Sequence, residues 1–272
     1  MSFAILKCGS KARGDTNIHS DEDYVCIHTK ENTSKKKIKK KYQNISFIQT
    51  DSISRMKNKG SLFITHLDVD GILIDGDSSL LGSIHSFTPN KESLELSINS
   101  TSNFIKSIEW YPPSTEGKLW LMDVLYVSLR NILYCANALT KNYKFGLQDA
   151  MSLYGLTDRE VETMLEIRQG KYAFRSSSVR QQYTEILDLK LVESLVSRLI
   201  NTKVIFESGG KTNWSREWNY DYWDERLIEK AIINNEVKDN GFREKLLDHN
   251  YNKRCIPDII KKYISTAQDK II

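Results

Sequence analysis

Proline and cysteine are scarce in this chain, with four of each among 272 residues, and glycine is modest at 13. Such a composition excludes collagen-like and low-complexity chains. Cys8, Cys26, Cys135 and Cys255 are far apart and include no CxxC pair. Neither a disulfide scaffold nor a thiolate metal site is expected, and reduced thiols in the cytoplasm fit better. No uninterrupted apolar run approaches the roughly 18 residues of a membrane span. The richest, Leu119 to Val127, contains Asp123. The first residues show no basic start followed by a signal-length apolar stretch, so neither a secretory leader nor membrane contact is expected. Excess charge is also small, at +4. Lys35, Lys36, Lys37, Lys39, Lys40 and Lys41 contribute +6, so +4 less +6 leaves the rest of the chain at −2. The positive charge is local.

What the chain does contain is buriable aromatic surface: 13 tyrosines, nine phenylalanines and five tryptophans. That argues against disorder of the chain as a whole. Residues 1–90 read as mixed α/β. Strands are expected at Phe3 to Cys8, from about Asp21 to His28, and at Ile45 to Thr50. Asp51 is placed to cap a short helix, and Ser61 to Leu67 reads as another. Residues 91–117, within a polar stretch that carries Pro112 and Pro113, read as a linker. From Lys118 onward helices dominate, the first of them, Lys118 to Leu139, apolar on nearly all sides. Gly146 and Gly155 bracket a short helix, Thr157 and Glu160 have capping-box spacing, and the helix they open is expected to stop near Gly170. Further helices are expected over Val179 to Ile200, over Glu217 to Asn234 and after Pro257. The fold class is therefore α+β, with an N-terminal α/β domain and a C-terminal all-α domain over 118–272.

The chemistry-bearing segment is residues 9–23, Gly-Ser-Lys-Ala-Arg-Gly-Asp-Thr-Asn-Ile-His-Ser-Asp-Glu-Asp. Gly9 and Ser10 follow a strand, where bare backbone N–H groups and a hydroxyl can approach a phosphate. Asp21 and Asp23 are two apart on the next strand and so share a face, whereas Glu22 points away. Carboxylates so paired suit Mg²⁺ ions that neutralise a triphosphate. Arg13 is a candidate phosphate contact.

Gly-Ser-x-Ala-Arg-Gly followed by Ser-Asp-x-Asp resembles the signature of the DNA polymerase β-type nucleotidyltransferase superfamily, in its minimal nucleotidyltransferase branch. That branch includes antitoxins that adenylylate partner toxins of the HEPN helical fold, and it is related to aminoglycoside nucleotidyltransferases. The resemblance covers residues 3–28 and extends in pattern to about residue 77. It implies a polymerase β palm-like domain in which Gly9 and Ser10 bind the phosphates of a nucleoside triphosphate, ATP foremost. It implies that Asp21 and Asp23 bind Mg²⁺, with Arg13 and Ser20 in support. The implied acceptor is a partner protein or an RNA, as in toxin–antitoxin pairs or phage defence. Modification of an antibiotic is the enzymatic alternative.

The family usually has a third carboxylate on a following strand, and here Ser46 occupies its place. One replacement is Asp123, an acid on an apolar helix with Arg130 seven residues on and on the same face. Another is Asp51. A third reading is a nucleotide-binding module with degenerate chemistry. Asp68, Asp70, Asp75 and Asp77 read as turn residues. The lysine run is a candidate RNA contact, and Arg243 with His249 fits a loose ribonuclease pattern. Trp214, Trp218, Tyr220, Tyr222 and Trp223 read as core or a partner surface, and Tyr172, Phe174 and Arg175 as a loop near the acceptor.

Overall fold

In the computed structural model, which describes residues 2–16, 22–29, 35–182, 188–237, 261 and 264–265, the chain forms two compact units. Each is assembled from two stretches: Met1–Ser100 with Arg130–Leu156, and Thr101–Leu129 with Thr157–Ile272. The chain passes between the units three times, inside α5 (Lys91–Ile108), inside α6 (Thr115–Leu139) and between Leu156 and Thr157. A boundary at residues 91–117 is therefore replaced by a continuous helix over most of that stretch. Its polar composition belongs to the exposed side, while Leu94, Phe104, Ile105 and Ile108 are buried.

The first unit holds a four-stranded mixed sheet of β1 (Phe3–Cys8), β2 (Asp23–His28), β3 (Ile45–Gln49) and β4 (Ile72–Gly76), in the order β3-β2-β1-β4. β1 runs antiparallel to β2 and β4, and β2 runs parallel to β3. Side chains alternate between faces along each strand. One face presents Leu6, Cys8, Val25 and Ile27, which pack against Ile53 of α3 (Thr50–Asn58) and Ile64 and Leu67 of α4 (Leu62–Asp70). A 3₁₀ turn at Ser78–Ser83, capped by the Asp77 side chain, leads into Ile84 on the same core. The opposite face presents Ile5 and Cys26 beneath Ile38 of α2 (Lys35–Lys41), with Phe3, Tyr24, Tyr42 and Phe47 half-buried around them.

Several helices end where the sequence places them and others do not. α7 (Leu147–Tyr154) lies between Gly146 and a left-handed Gly155. α3 starts at Thr50 with Gln49 as its cap, two residues earlier than expected, so Asp51 sits inside its first turn. A short four-residue α1 (Ser10–Arg13) follows β1 directly.

Among its described residues the regular structure of the second unit is helical apart from a two-residue parallel pair, β5 (Trp110–Tyr111) with β6 (Glu207–Ser208), which qualifies the all-α expectation. α8 (Asp158–Arg175) opens with the full Thr157–Glu160 capping box. It runs past Gly170 because that glycine serves packing: a Cβ there would lie 2.2 Å from Met122 Sδ. The stretch expected to be one helix from Val179 holds α9 (Ser177–Gln182) and α10 (Leu189–Leu199), the latter opened by the side chain of Asp188. α10 buries Val192, Leu195, Val196 and Leu199, the i, i+3, i+4, i+7 stripe of a one-sided helix. α11 (Tyr222–Ile233) begins later than Glu217 because the Asp221 side chain accepts from the N–H groups of Trp223 and Asp224. The segment after Pro257 lies largely outside the described residues. Among those described, α6 alone is long and apolar enough by composition to cross a membrane, and 72% of its apolar window is buried.

Candidate functional site

β1 and β2 pair so that Cys8 faces Asp23, and the next residue, Gly9, turns the chain into α1. Gly9 has φ 74° and ψ −162°, backbone that is essentially restricted to glycine. A Cβ at this position would lie 3.0 Å from Asp23 Oδ2. Glycine thus does two things at once, setting the turn and letting the Asp23 carboxylate approach the backbone of the Gly9–Ser10 loop. The carbonyl of Gly9 accepts from the N–H groups of Ala12 and Arg13, and that of Ser10 from Gly14 and Asp15. The leading N–H groups of such a turn have no acceptor within it. Ser20 and Asp21 lie outside the described residues, as does His19.

The two faces of β2 separate as the alternation requires. Glu22 is engaged on the other side by Lys7 at 3.4 Å and by the Tyr24 hydroxyl at 2.9 Å. The Tyr24 hydrogen bond and that of Lys7 hold its carboxyl below the usual range. On the Asp23 side, burial, with the Asp23 charge second, pushes the Cys8 thiol up to about 11, so it is inert near neutrality. Ser46 pairs with Val25 and so faces the same side as Cys8 and Asp23; it is exposed.

Arg13 does not reach outward. Its Nη1 donates to Asp70 Oδ2 at 2.9 Å, and its Nε and Nη2 donate to Asp15 at 3.3 Å. Asp70 ends α4 and is not the turn residue that composition suggests. His66, one helical turn earlier, places Nε2 3.2 Å from Asp70 Oδ2, and its ring lies 4.6 Å from that of Phe145. Burial would raise the Asp70 carboxyl, but hydrogen bonds from His66 and Arg13 outweigh it and hold it below the usual range. The loop before α7 closes on the same group, since a Cβ on Gly146 would stand 3.1 Å from Asp15 Oδ2. His66 and Asp70 form the part of this site that motif reading missed. The signal was their i, i+4 spacing on one helix face.

Asp123 belongs to the second unit and is fully buried. Its Oδ1 accepts from Arg175 Nε at 2.7 Å, and its Oδ2 from Arg175 Nη2 at 3.1 Å and Arg226 Nη2 at 2.6 Å. The expected partner, Arg130, instead lies over the Tyr134 ring. Burial opposes ionisation, yet Arg226 and Arg175 hold the Asp123 carboxyl below its ordinary range. A carboxylate so stabilised is a poor proton acceptor. Phe174 is buried and Arg175, although exposed, is tied to Asp123; both end α8 and do not form a loop. Trp214 and Trp218 stack at 5.9 Å and are buried, and Trp223 stacks on Phe104 at 4.2 Å, so this cluster is largely core.

All six lysines of α2 are exposed, with only Ile38 of that helix buried. Lys41 and the Tyr42 hydroxyl meet Asp75 at 2.9 and 3.0 Å, and Lys35 Nζ lies 5.4 Å from the centre of the Phe47 ring. Arg243 and His249 lie outside the described residues. Among the described residues no group of three or more histidines, cysteines or acids stands ready to hold a metal ion. The chemistry of the Asp23 carboxylate close to the Gly9 backbone is compatible with one ligand of a Mg²⁺–phosphate site, and Asp21 lies outside the described residues. No family model, curated protein or solved structure matches the chain.

Proposed function

We propose that this chain is a Mg²⁺-dependent nucleotidyltransferase that moves a nucleoside monophosphate, AMP foremost, from a nucleoside triphosphate to a hydroxyl of a macromolecular acceptor. The observation that carries the reading is the contact of Gly9 with the Asp23 carboxylate across the β1–β2 pair. It brings the Gly9–Ser10 turn close to Asp23, the second acid of the motif's Asp-x-Asp pair. Asp21 and Asp23 would hold the metal, which supplies charge neutralisation on the triphosphate. Backbone N–H groups at Ser10 and its neighbours hold the departing pyrophosphate portion. The acceptor oxygen attacks the α-phosphorus, the bond to pyrophosphate breaks, and the hydroxyl proton leaves to solvent or a base of the acceptor complex. Arg13 braces α1 against α4 through Asp70 and shapes the turn without touching the nucleotide. The exposed lysine helix α2 suits a polyanionic acceptor, and RNA is the acceptor class it favours.

The test is incubation with α-labelled ATP, Mg²⁺ and candidate protein or RNA acceptors from the same cell. Label should enter an acceptor with wild type and be lost with Asp21→Asn and with Asp23→Asn. Equal labelling by wild type and by the double variant overturns the proposal.

A second reading, a nucleotide-binding regulatory module without transfer, is favoured by Ser46 on the Asp23 face and by the two arginines that engage Asp123. Calorimetry that shows Mg²⁺–ATP binding with no labelled product selects it.

A further inference from the structure

The second unit contains a pocket of about 180 Å³ between the C-terminal end of α5, β5, the loop after β6, and α11. Its lining includes Lys211, Arg216 and Lys230, two indoles (Trp110 and Trp218), and one carboxylate, Glu109. Lys230 is the unusual member. It is 3% exposed, yet among the described residues its side chain donates one hydrogen bond, to the carbonyl of Ile108 at 2.8 Å. No carboxylate lies within ion-pair distance of it among the described residues. An ammonium buried this way is costly unless an anion pairs with it.

The neighbouring cations are no better matched. Arg216 meets Asp224 only at 3.7 Å, and that carboxylate already accepts from the backbone N–H groups of Asn219 and Tyr220. Lys211 is exposed and makes no hydrogen bond or ion pair among the described residues. Glu236 is taken up by Thr212 and Asn234. Both better-placed cations are fixed by aromatic faces, Lys230 Nζ 4.0 Å from the Trp110 ring centre and Arg216 5.2 Å from that of Trp218. They therefore require little reordering to meet a ligand. Gly210 lies so close to Trp110 that a Cβ would come within 2.4 Å of the indole, which holds the loop against the pocket wall.

We infer that this pocket binds a compact organic oxyanion, a carboxylate or phosphate monoester on a body of about one ring, with Lys230, Arg216 and Lys211 as the anion contacts and the indoles as the apolar wall. The volume sets the body size, because drug-sized ligands need about 300 Å³ or more. Three cations against one carboxylate in the lining set the sign of the charge. The inference is independent of nucleotidyl transfer, since it uses no residue of the first unit. Burial draws the Lys230 ammonium down to about 8, with Glu109 and Glu236 opposing that fall and Arg216 adding to it, so the group is still mostly charged near neutrality.

The experiment is calorimetric titration of the full chain with phenyl phosphate, benzoate, benzyl alcohol and inorganic phosphate, with intrinsic tryptophan fluorescence as a second readout. Phenyl phosphate or benzoate should saturate with a Kd of about 1 mM or below. Benzyl alcohol and inorganic phosphate should bind at least about tenfold more weakly. Lys211→Gln and Arg216→Gln, both near the surface and expected to fold, should each weaken the better anion about threefold or more. Lys230→Met should abolish binding while leaving the thermal midpoint at or above wild type. The proposal is overturned if neither organic anion saturates by about 20 mM, if benzyl alcohol binds as well as they do, or if the two surface variants bind as wild type does.

Discussion

Gly9 and Asp23 meet at the junction of β1 and β2, where a Cβ on the glycine would stand 3.0 Å from the aspartate carboxylate. Glycine at this position is required twice, by its backbone angles and by its neighbour. The backbone angles strain any side chain there, and a Cβ would press the Asp23 carboxylate aside by a few tenths of an ångström.

Gly9→Ala should therefore cost about 1–3 kcal/mol of stability, through backbone conformation that an L-residue rarely adopts. It should also displace the Asp23 carboxylate. Thermal unfolding and Mg²⁺–ATP calorimetry of the same sample read the two effects. A variant with wild-type midpoint and wild-type nucleotide affinity would contradict both roles.

Arg13 and Asp70 should be energetically coupled. Their side chains are 19% and 8% exposed, so solvent screens the pair less than it screens a surface bridge. A double-mutant cycle with Arg13→Gln and Asp70→Asn should yield a coupling of about 1–2 kcal/mol, retained in about 1 M salt. If Arg13 instead contacts nucleotide, Arg13→Gln will weaken ATP binding while Asp70→Asn will not.

Asp123→Asn should destabilise the second unit by about 3–5 kcal/mol, because it leaves Arg175 and Arg226 without their shared carboxylate. Chemical denaturation measures this directly. An Asp123→Asn variant that unfolds like wild type yet fails to label an acceptor would return Asp123 to the role of general base.

Glu229 carries a pH signature. It accepts from Trp120 Nε1 at 3.1 Å and pairs with Arg226 at 2.8 Å, yet its Oε1 is buried without a partner. Burial, opposed by Arg226, pushes its carboxyl from 4.5 up to about 7. With the folded value raised, the stabilising contribution is complete below about pH 4.5 and is lost as pH rises through about 7. Wild type should thus lose about 1–3 kcal/mol across that window relative to Glu229→Gln, which cannot ionise. Lys230 titrates above the window and has the opposite sign, since its lowered value loses stability as pH falls from about 10.5 to 8. Parallel stability-against-pH profiles for wild type and Glu229→Gln would remove the assignment.

Much of this was readable in advance where the signal is local. The alternation of Phe3–Cys8 and Asp23–His28, the glycines at 146 and 155 and the capping box at Thr157 act over a few residues, and each specifies its element directly. The opposed directions of Glu22 and Asp23 follow from the strand period alone. Ser46 faces the side of the sheet that the motif assigns to a third acid, so its departure from the pattern was visible as well.

Partnerships between distant segments were not readable. Asp123 has an arginine seven residues away on its own helix, but α8 and α11 deliver two others that approach its oxygens directly. Asp70 looked like a turn residue beside Gly71 until α1 brought Arg13 to it. The polar stretch after residue 90 looked like a linker because its apolar residues are spaced along one helical side, a pattern with meaning only once something packs there.

The sequence by itself determined the strand–turn–strand carrying Gly9, Ser10 and Asp23, the local lysine charge and the caps of the shorter helices, since those depend on backbone geometry and near neighbours. Tertiary structure alone decided which arginines hold Asp123, that Arg13 is bound by carboxylates, and that a buried Lys230 stands beside a pocket. Such outcomes turn on burial, and burial is a property of what other segments bring against a side chain.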